Sequence, residues 1–131
     1  MEIQTFSHME HGEAVAQWWA ARHKFAWQPA MLSPVGVVGV VDGQPVCACW
    51  LYLSMGVGVA YLENPLTKPG TTLAQARQRL RMLFAALEEV AKAHDYGVVI
   101  CHALTSGVKF MESLGYAFHP FTYATGTKLL R

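Results

Sequence analysis

What most constrains the fold of this chain is a long amphipathic segment that runs straight into a short β-branched one. Leu73, Ala76, Leu80, Leu83, Phe84, Leu87, Ala91 and His94 recur every three or four residues and so share one stripe of a helix. Gln75, Gln78, Arg79, Glu88, Glu89, Lys92 and Asp95 fall largely on the opposite side. Pro69-Gly70-Thr71-Thr72 supplies the entry, a threonine accepting from the first free amides, and Gly97 supplies the stop. Val98-Val99-Ile100-Cys101 is too short and too β-branched for a helix and is predicted as a buried strand. A shorter helix follows, with Thr105 or Ser106 as cap, Phe110 and Leu114 facing inward and Gly115 at its left-handed exit. Helix, strand and helix in that order predict an α/β layer.

The remaining elements fit a mixed sheet. Glu2 to Phe6 is predicted as a first strand, and Gly12 to Lys24 as a helix with Val15, Trp18, Trp19 and Arg22 at helical spacing. Phe25 to Pro34 is an aromatic, proline-containing connection. Val35 to Val41 and Val46 to Leu53 pair across an Asp42-Gly43 turn, and Val57 to Asn64 is the next strand, closed by Pro65. Tyr123 to Leu130 is predicted as the last. The expectation is one α/β domain over 1–131, a mixed central sheet with helices on both faces.

Charge and composition remove several function classes. A formal net charge of +1, with 15% charged residues, gives no field to hold a polyanion, so no nucleic-acid partner is expected. Gly43 to Leu62 is uncharged and long enough to cross a bilayer, yet it contains Pro45, Gly56 and Gly58. Two strands joined near Ser54-Met55-Gly56 account for it, and no membrane partner is expected. The N-terminus lacks the basic patch and apolar core of a signal peptide, so the expected location is cytoplasmic. Three cysteines fit a reducing compartment, and Cys47 and Cys49, two apart on a strand, are expected to be packed core neighbours. His8, Glu10 and His11 are read as a solvated helix start, and no metal site is expected.

The layout from about Val35 to Arg131 resembles the GNAT acyl-CoA-dependent N-acyltransferases. Its most legible piece is the Ser113-Leu114-Gly115-Tyr116 close of the last helix, similar to the family's Leu-Gly-Phe close. The apolar hairpin, the strand ending in Leu62-Glu63-Asn64-Pro65 and the long helix follow in the family's order. The resemblance implies acetyl-CoA, or another acyl-CoA, as co-substrate and a small-molecule or peptide amine as acceptor. It also implies a cleft where two parallel strands splay, with pantetheine on the exposed strand edge and pyrophosphate at the next helix start.

By that resemblance the thioester lies near Leu62, Glu63 and Asn64, opposite the strand Val98 to His102, and the phosphate site is Lys68 with Gly70, Thr71 and Thr72. Glu63, the sole acid in a long uncharged stretch, is the expected general base. His102 ends the opposing strand and is a second candidate for that task. Tyr116 or Tyr123 is the candidate proton donor to the leaving thiolate, since Met111 stands where the family often has a tyrosine. Trp18, Trp19, Trp27 and Lys24 belong to the segment that lines the family's acceptor pocket. Adjacent tryptophans on a helix cannot both point into one core stripe, so one is expected to be partly exposed, at that pocket or in a homodimer contact.

The chain also departs from the family's pattern. Its phosphate signature of spaced glycines is missing, with Gln75-Ala76-Arg77-Gln78-Arg79-Leu80 in the slot, and the cofactor-contacting asparagine falls near Leu104. Glycine-poor versions of the fold resemble those of phage and prophage proteins. The leading expectation is an acyl-CoA N-acyltransferase. The second is a catalytically inactive module of the same fold, serving in binding or in a phage structure.

Overall fold

The computed structural model describes residues 1–25 and 27–118; the predicted strand Tyr123 to Leu130 lies outside them. The elements are β1 (Glu2–Thr5), α1 (His8–Ala20), a 3-10 turn (Pro29–Met31), β2 (Gly36–Val41), β3 (Gln44–Leu53), β4 (Val59–Thr67), α2 (Leu73–Ala93), β5 (Val98–Cys101) and α3 (Thr105–Glu112). Among the described residues the strands form one sheet in chain order, β1-β2-β3-β4-β5. The first four are antiparallel, and β5 lies parallel to β4. Parallel neighbours cannot be joined by a tight turn, so the chain crosses over through α2. The uncharged run is an antiparallel pair, and no described helix is long and apolar enough to cross a membrane.

The two faces of the sheet carry separate cores. On one, Cys47, Cys49, Leu51, Ala60 and Leu62 pack with Leu83, Phe84, Leu87 and Ala91 of α2 and Met111 of α3. On the other, Val38, Val40, Ala48, Trp50 and Leu66 pack with Phe6 and with Val15, Trp18 and Trp19 of α1. Period-two alternation along β3 explains the division: Cys47, Cys49 and Leu51 face α2, and Ala48 and Trp50 face α1. Asp42 and Gly43 both have positive φ (50° and 73°), as a two-residue hairpin turn between Val41 and Gln44 requires.

α2 starts where the sequence predicts and stops by a different residue. Thr72 accepts from the Gln75 amide at 3.3 Å, while the Gln75 side chain accepts from the Thr72 amide at 3.1 Å, a reciprocal capping box. Asp95, not Gly97, takes the left-handed conformation (φ 61°) that ends the helix, and the Tyr96 amide returns to the Ala91 carbonyl at 3.0 Å. Leu73 and His94, at the two ends of the stripe, are exposed. α3 follows Leu104 as its N-cap, with Gly115 at its exit at φ 95°.

α1 corrects two expectations. It begins at His8, a turn before Gly12, which brings His11 onto the stripe of Val15 and Trp18. His11 is therefore buried, not solvated, and its Nδ1 accepts from the Ser7 amide at 3.0 Å. Trp18 and Trp19 are both buried as well. Trp18 meets the sheet, and Trp19 is covered by the chain that follows the helix. His23 stacks on its ring at 3.9 Å, Phe25 and Trp27 lie edge-on at 5.4 and 6.1 Å, and its Nε1 donates to the Phe25 carbonyl at 3.2 Å. The tryptophan pair thus leaves no exposed ring for a subunit contact.

Gly36 marks a close approach between β2 and Trp50, its cross-strand partner. A Cβ there would fall 2.4 Å from Trp50 Cδ1 and 2.5 Å from its Nε1. The ring cannot slide aside, being wedged edge-on against Phe6 at 5.0 Å and against Trp27 at 6.4 Å. Gly36→Ala is expected to cost about 1–3 kcal/mol of stability, measured by urea denaturation. Unchanged stability would contradict this packing.

Candidate active site

β4 contains the irregularity from which the site is built. Its ladder with β3 runs from Leu51↔Leu62 and Trp50↔Glu63 to Ala48↔Leu66 and Cys47↔Thr67, so β4 holds one residue too many opposite Cys49. Asn64 adopts φ 54° at this point, a left-handed conformation that asparagine tolerates better than most residues. The effect on the faces is visible two residues later. Leu62 and Leu66, four apart, would share a face on a regular strand, yet Leu62 lies in the α2 core and Leu66 in the α1 core. The strand predicted to end at Asn64 therefore runs on to Thr67: Pro65, which has no amide to donate, is absorbed in the bulge.

The same bulge marks the place where β4 and β5 part. Their parallel register runs Val59↔Val98 to Leu62↔Cys101 and stops there. Glu63–Thr67 continues beside β3, while the chain leaves β5 at His102. Glu63, whose cross-strand partner is Trp50, shares the α1 face of the sheet. Here the two acid-base candidates meet across 39 positions of sequence: His102 Nδ1 and Glu63 Oε1 are hydrogen-bonded. Both side chains are partly open to solvent, Glu63 at 28% and His102 at 41% exposure. A carboxylate only accepts, so with Glu63 ionised the proton between them sits on Nδ1. A carboxylate held by an imidazole at the open end of two strands suits proton removal from an incoming nucleophile.

Asn64 is anchored beside this pair. Its Nδ2 donates to the Tyr52 hydroxyl at 2.9 Å, and that hydroxyl donates to the Met31 carbonyl in the turn before β2. Burial pushes the Tyr52 phenol above its ordinary pKa, which keeps the donor protonated. Sequence reasoning missed Tyr52. The available signal was Asn64-Pro65, a turn-favouring pair inside a strand, which marks a bulge without naming the residue that anchors it.

The helix start is more closed than the sequence suggests. The Thr71 amide donates to the Lys68 carbonyl at 3.2 Å, and the Thr71 hydroxyl donates to the same carbonyl at 2.6 Å and accepts from Arg79 at 3.2 Å. The Thr72 amide is taken by Gln75. Gly70, at φ 83°, has open space where a Cβ would stand, and Lys68 is exposed. On the far side of the strand end, Arg22 donates to the buried Thr67 hydroxyl at 2.7 Å. The Leu62 side chain is sealed in the α2 core, leaving only its backbone for a ligand.

Tyr116 stands apart from the Glu63 pair. Its hydroxyl donates to Glu88 of α2 at 2.7 Å, and burial together with that carboxylate pushes its pKa well up. Tyr123 lies outside the described residues. The thiols are quiet: burial pushes Cys47 and Cys101 up to about 11, with Glu63 adding to the effect at Cys101, and it raises Cys49 too. Protonated thiols are poor nucleophiles, which argues against a covalent cysteine route.

No protein-family model matches the sequence, and no curated protein sequence matches it. Solved structures do match, along the whole chain. An acetyltransferase of Trypanosoma brucei superposes with a TM-score of 0.69 at 15% identity, over 96% of this chain and 99% of that one. Glucosamine-6-phosphate N-acetyltransferase of Arabidopsis thaliana gives 0.65 at 8% identity, over 97% and 98%. An aminoglycoside 6'-N-acetyltransferase of Acinetobacter haemolyticus gives 0.65 at 14% identity, over 98% and 99%. With the mixed sheet, the parallel β4-β5 pair and the crossover helix, these likenesses show that the chain has the GNAT fold, the fold of N-acetyltransferases.

Proposed function

We propose that this chain is an acyl-CoA-dependent N-acyltransferase that moves an acetyl or other acyl group to the amine of a small molecule or peptide. The observation that carries this reading is the Glu63-His102 pair at the point where β4 and β5 part. The acceptor amine attacks the thioester carbonyl, a C–N bond forms, and the C–S bond breaks with its electron pair on sulfur. Glu63 takes the proton that the amine must lose, directly or through one water, and His102 holds the carboxylate in place. The departing thiol is acidic enough to leave as thiolate and take its proton from solvent. Tyr116, committed to Glu88, would serve as acid only after giving up that contact.

The residues fit the co-substrate unevenly. The backbone of Leu62, Glu63 and Asn64 has no β5 partner beyond Leu62 among the described residues, so it offers a strand edge for pantetheine amides. At the helix start Lys68 and the open Gly70 suit a pyrophosphate, whereas the Thr71 and Thr72 amides must first release their present partners. That closure is the observation favouring the second reading, an inactive binding module. Acyl transfer from acetyl-CoA, assayed across amines and peptides at a pH that frees the amine, separates the two. Turnover is expected with at least one acceptor class. No turnover with any acceptor, together with no CoA retained in native mass spectrometry, would leave the inactive module.

A further inference from the structure

We propose that Tyr52 and Asn64 form a positioning device that sets the β4 bulge and thereby holds Glu63 against His102. The Tyr52 hydroxyl is fully used: its single proton goes to the Met31 carbonyl, so it can only accept from Asn64. That fixes which end of the Asn64 amide faces it. Asn64 in turn occupies the left-handed conformation that inserts the extra residue, and Glu63 immediately precedes it. Glu63 is held from the same place by its backbone, because its carbonyl accepts from the buried Cys49 thiol at 3.4 Å. The tether therefore runs from the turn before β2, across β3, to the residue beside the base. Asparagine tolerates the left-handed conformation but does not require it, and the amide-phenol bond is the side-chain contact that selects it at this position.

In catalytic terms the device rests on Glu63 acting as the base, so its test has one readout that needs no turnover. Tyr52→Phe removes the acceptor and keeps the ring. Asn64→Gly keeps the left-handed backbone within reach and removes the amide. In the unmodified chain, nitrogen-15 NMR of the histidine rings, with His102 assigned through His102→Gln, is expected to show the Nδ1-protonated tautomer hydrogen-bonded to Glu63. Both variants, folded by circular dichroism, are expected to shift the His102 ring nitrogens toward a mixed tautomer. In the acyl-transfer assay each is expected to lose about tenfold in kcat with the acyl-CoA KM nearly unchanged. The double variant should be no worse than either single one, since both remove one bond. His102 nitrogen shifts in both folded variants equal to those of the unmodified chain would overturn the proposal. If the unmodified chain transfers no acyl group, the functional reading falls, and the NMR comparison still decides the positioning role.

Discussion

Glu63→Gln is expected to lower kcat by about a hundredfold or more while the KM for acyl-CoA stays close to its original value. Glutamine keeps the shape of the side chain and can still meet His102, but it cannot take a proton from the amine. The loss should shrink as the pH of the assay rises, because a larger share of the acceptor then arrives already deprotonated. Steady-state kinetics in both substrates provide the check. A variant with undiminished kcat would remove Glu63 from the chemistry and leave its hydrogen bond to His102 a structural feature of the sheet.

Trp50→Ala is expected to destabilise the fold by about 3–5 kcal/mol, the range for truncating a large aromatic in a packed core. Trp50 is fully buried and is the centre of the α1-side core, touching Phe6 and Trp27 and closing over Gly36. The milder Trp50→Phe should cost much less. The indole Nε1 has no hydrogen-bond partner among the described residues, so the smaller ring removes an unsatisfied donor along with part of its contacts. Equilibrium denaturation of both variants tests the contrast. Equal losses would contradict this reading, since they would mean that a phenyl ring recovers none of the packing that alanine forfeits.

The elements were legible where local chemistry sets them. Asp42-Gly43 accepts positive φ at both positions, Thr72 and Gln75 carry a complete capping box, and the apolar stripe from Leu80 to Ala91 has only one face to bury. The exposed tryptophan was misread because the stripe argument counts only the sheet as cover. His23, Phe25 and Trp27 supply a second surface that sequence spacing does not reveal. The bulge was legible in part. Asn64-Pro65 announces an interruption, but nothing local says that the strand resumes through Leu66 to Thr67 or that its inward face changes sides.

For the site, residue type and strand position were enough to nominate Glu63 and His102 separately. Parallel register aligns Leu62 with Cys101 and so sets the next residue of each strand within reach of the other, a long-range pairing that the local sequence around neither residue reveals. The helix start was harder to read because a threonine hydroxyl and a backbone amide look equally available to a phosphate or to the chain itself. Here Lys68, Gln75 and Arg79 take up the polar groups of Thr71 and Thr72. Tyr116 was nominated by its place after the last helix. The competing partner, Glu88, comes from α2, 28 residues earlier.

The proposed function puts acyl-CoA where β4 and β5 part, with its thioester beside Glu63 and His102. It is tested most directly by titrating the isotopically labelled protein with acetyl-CoA and following its backbone amides by NMR. Saturable shifts are expected at Glu63, Asn64, Leu66 and His102, with a second group at Gly70 to Ala74, and little change at the Asp42-Gly43 turn. No shift at the strand ends with millimolar acetyl-CoA, or shifts confined to another part of the sheet, would contradict it.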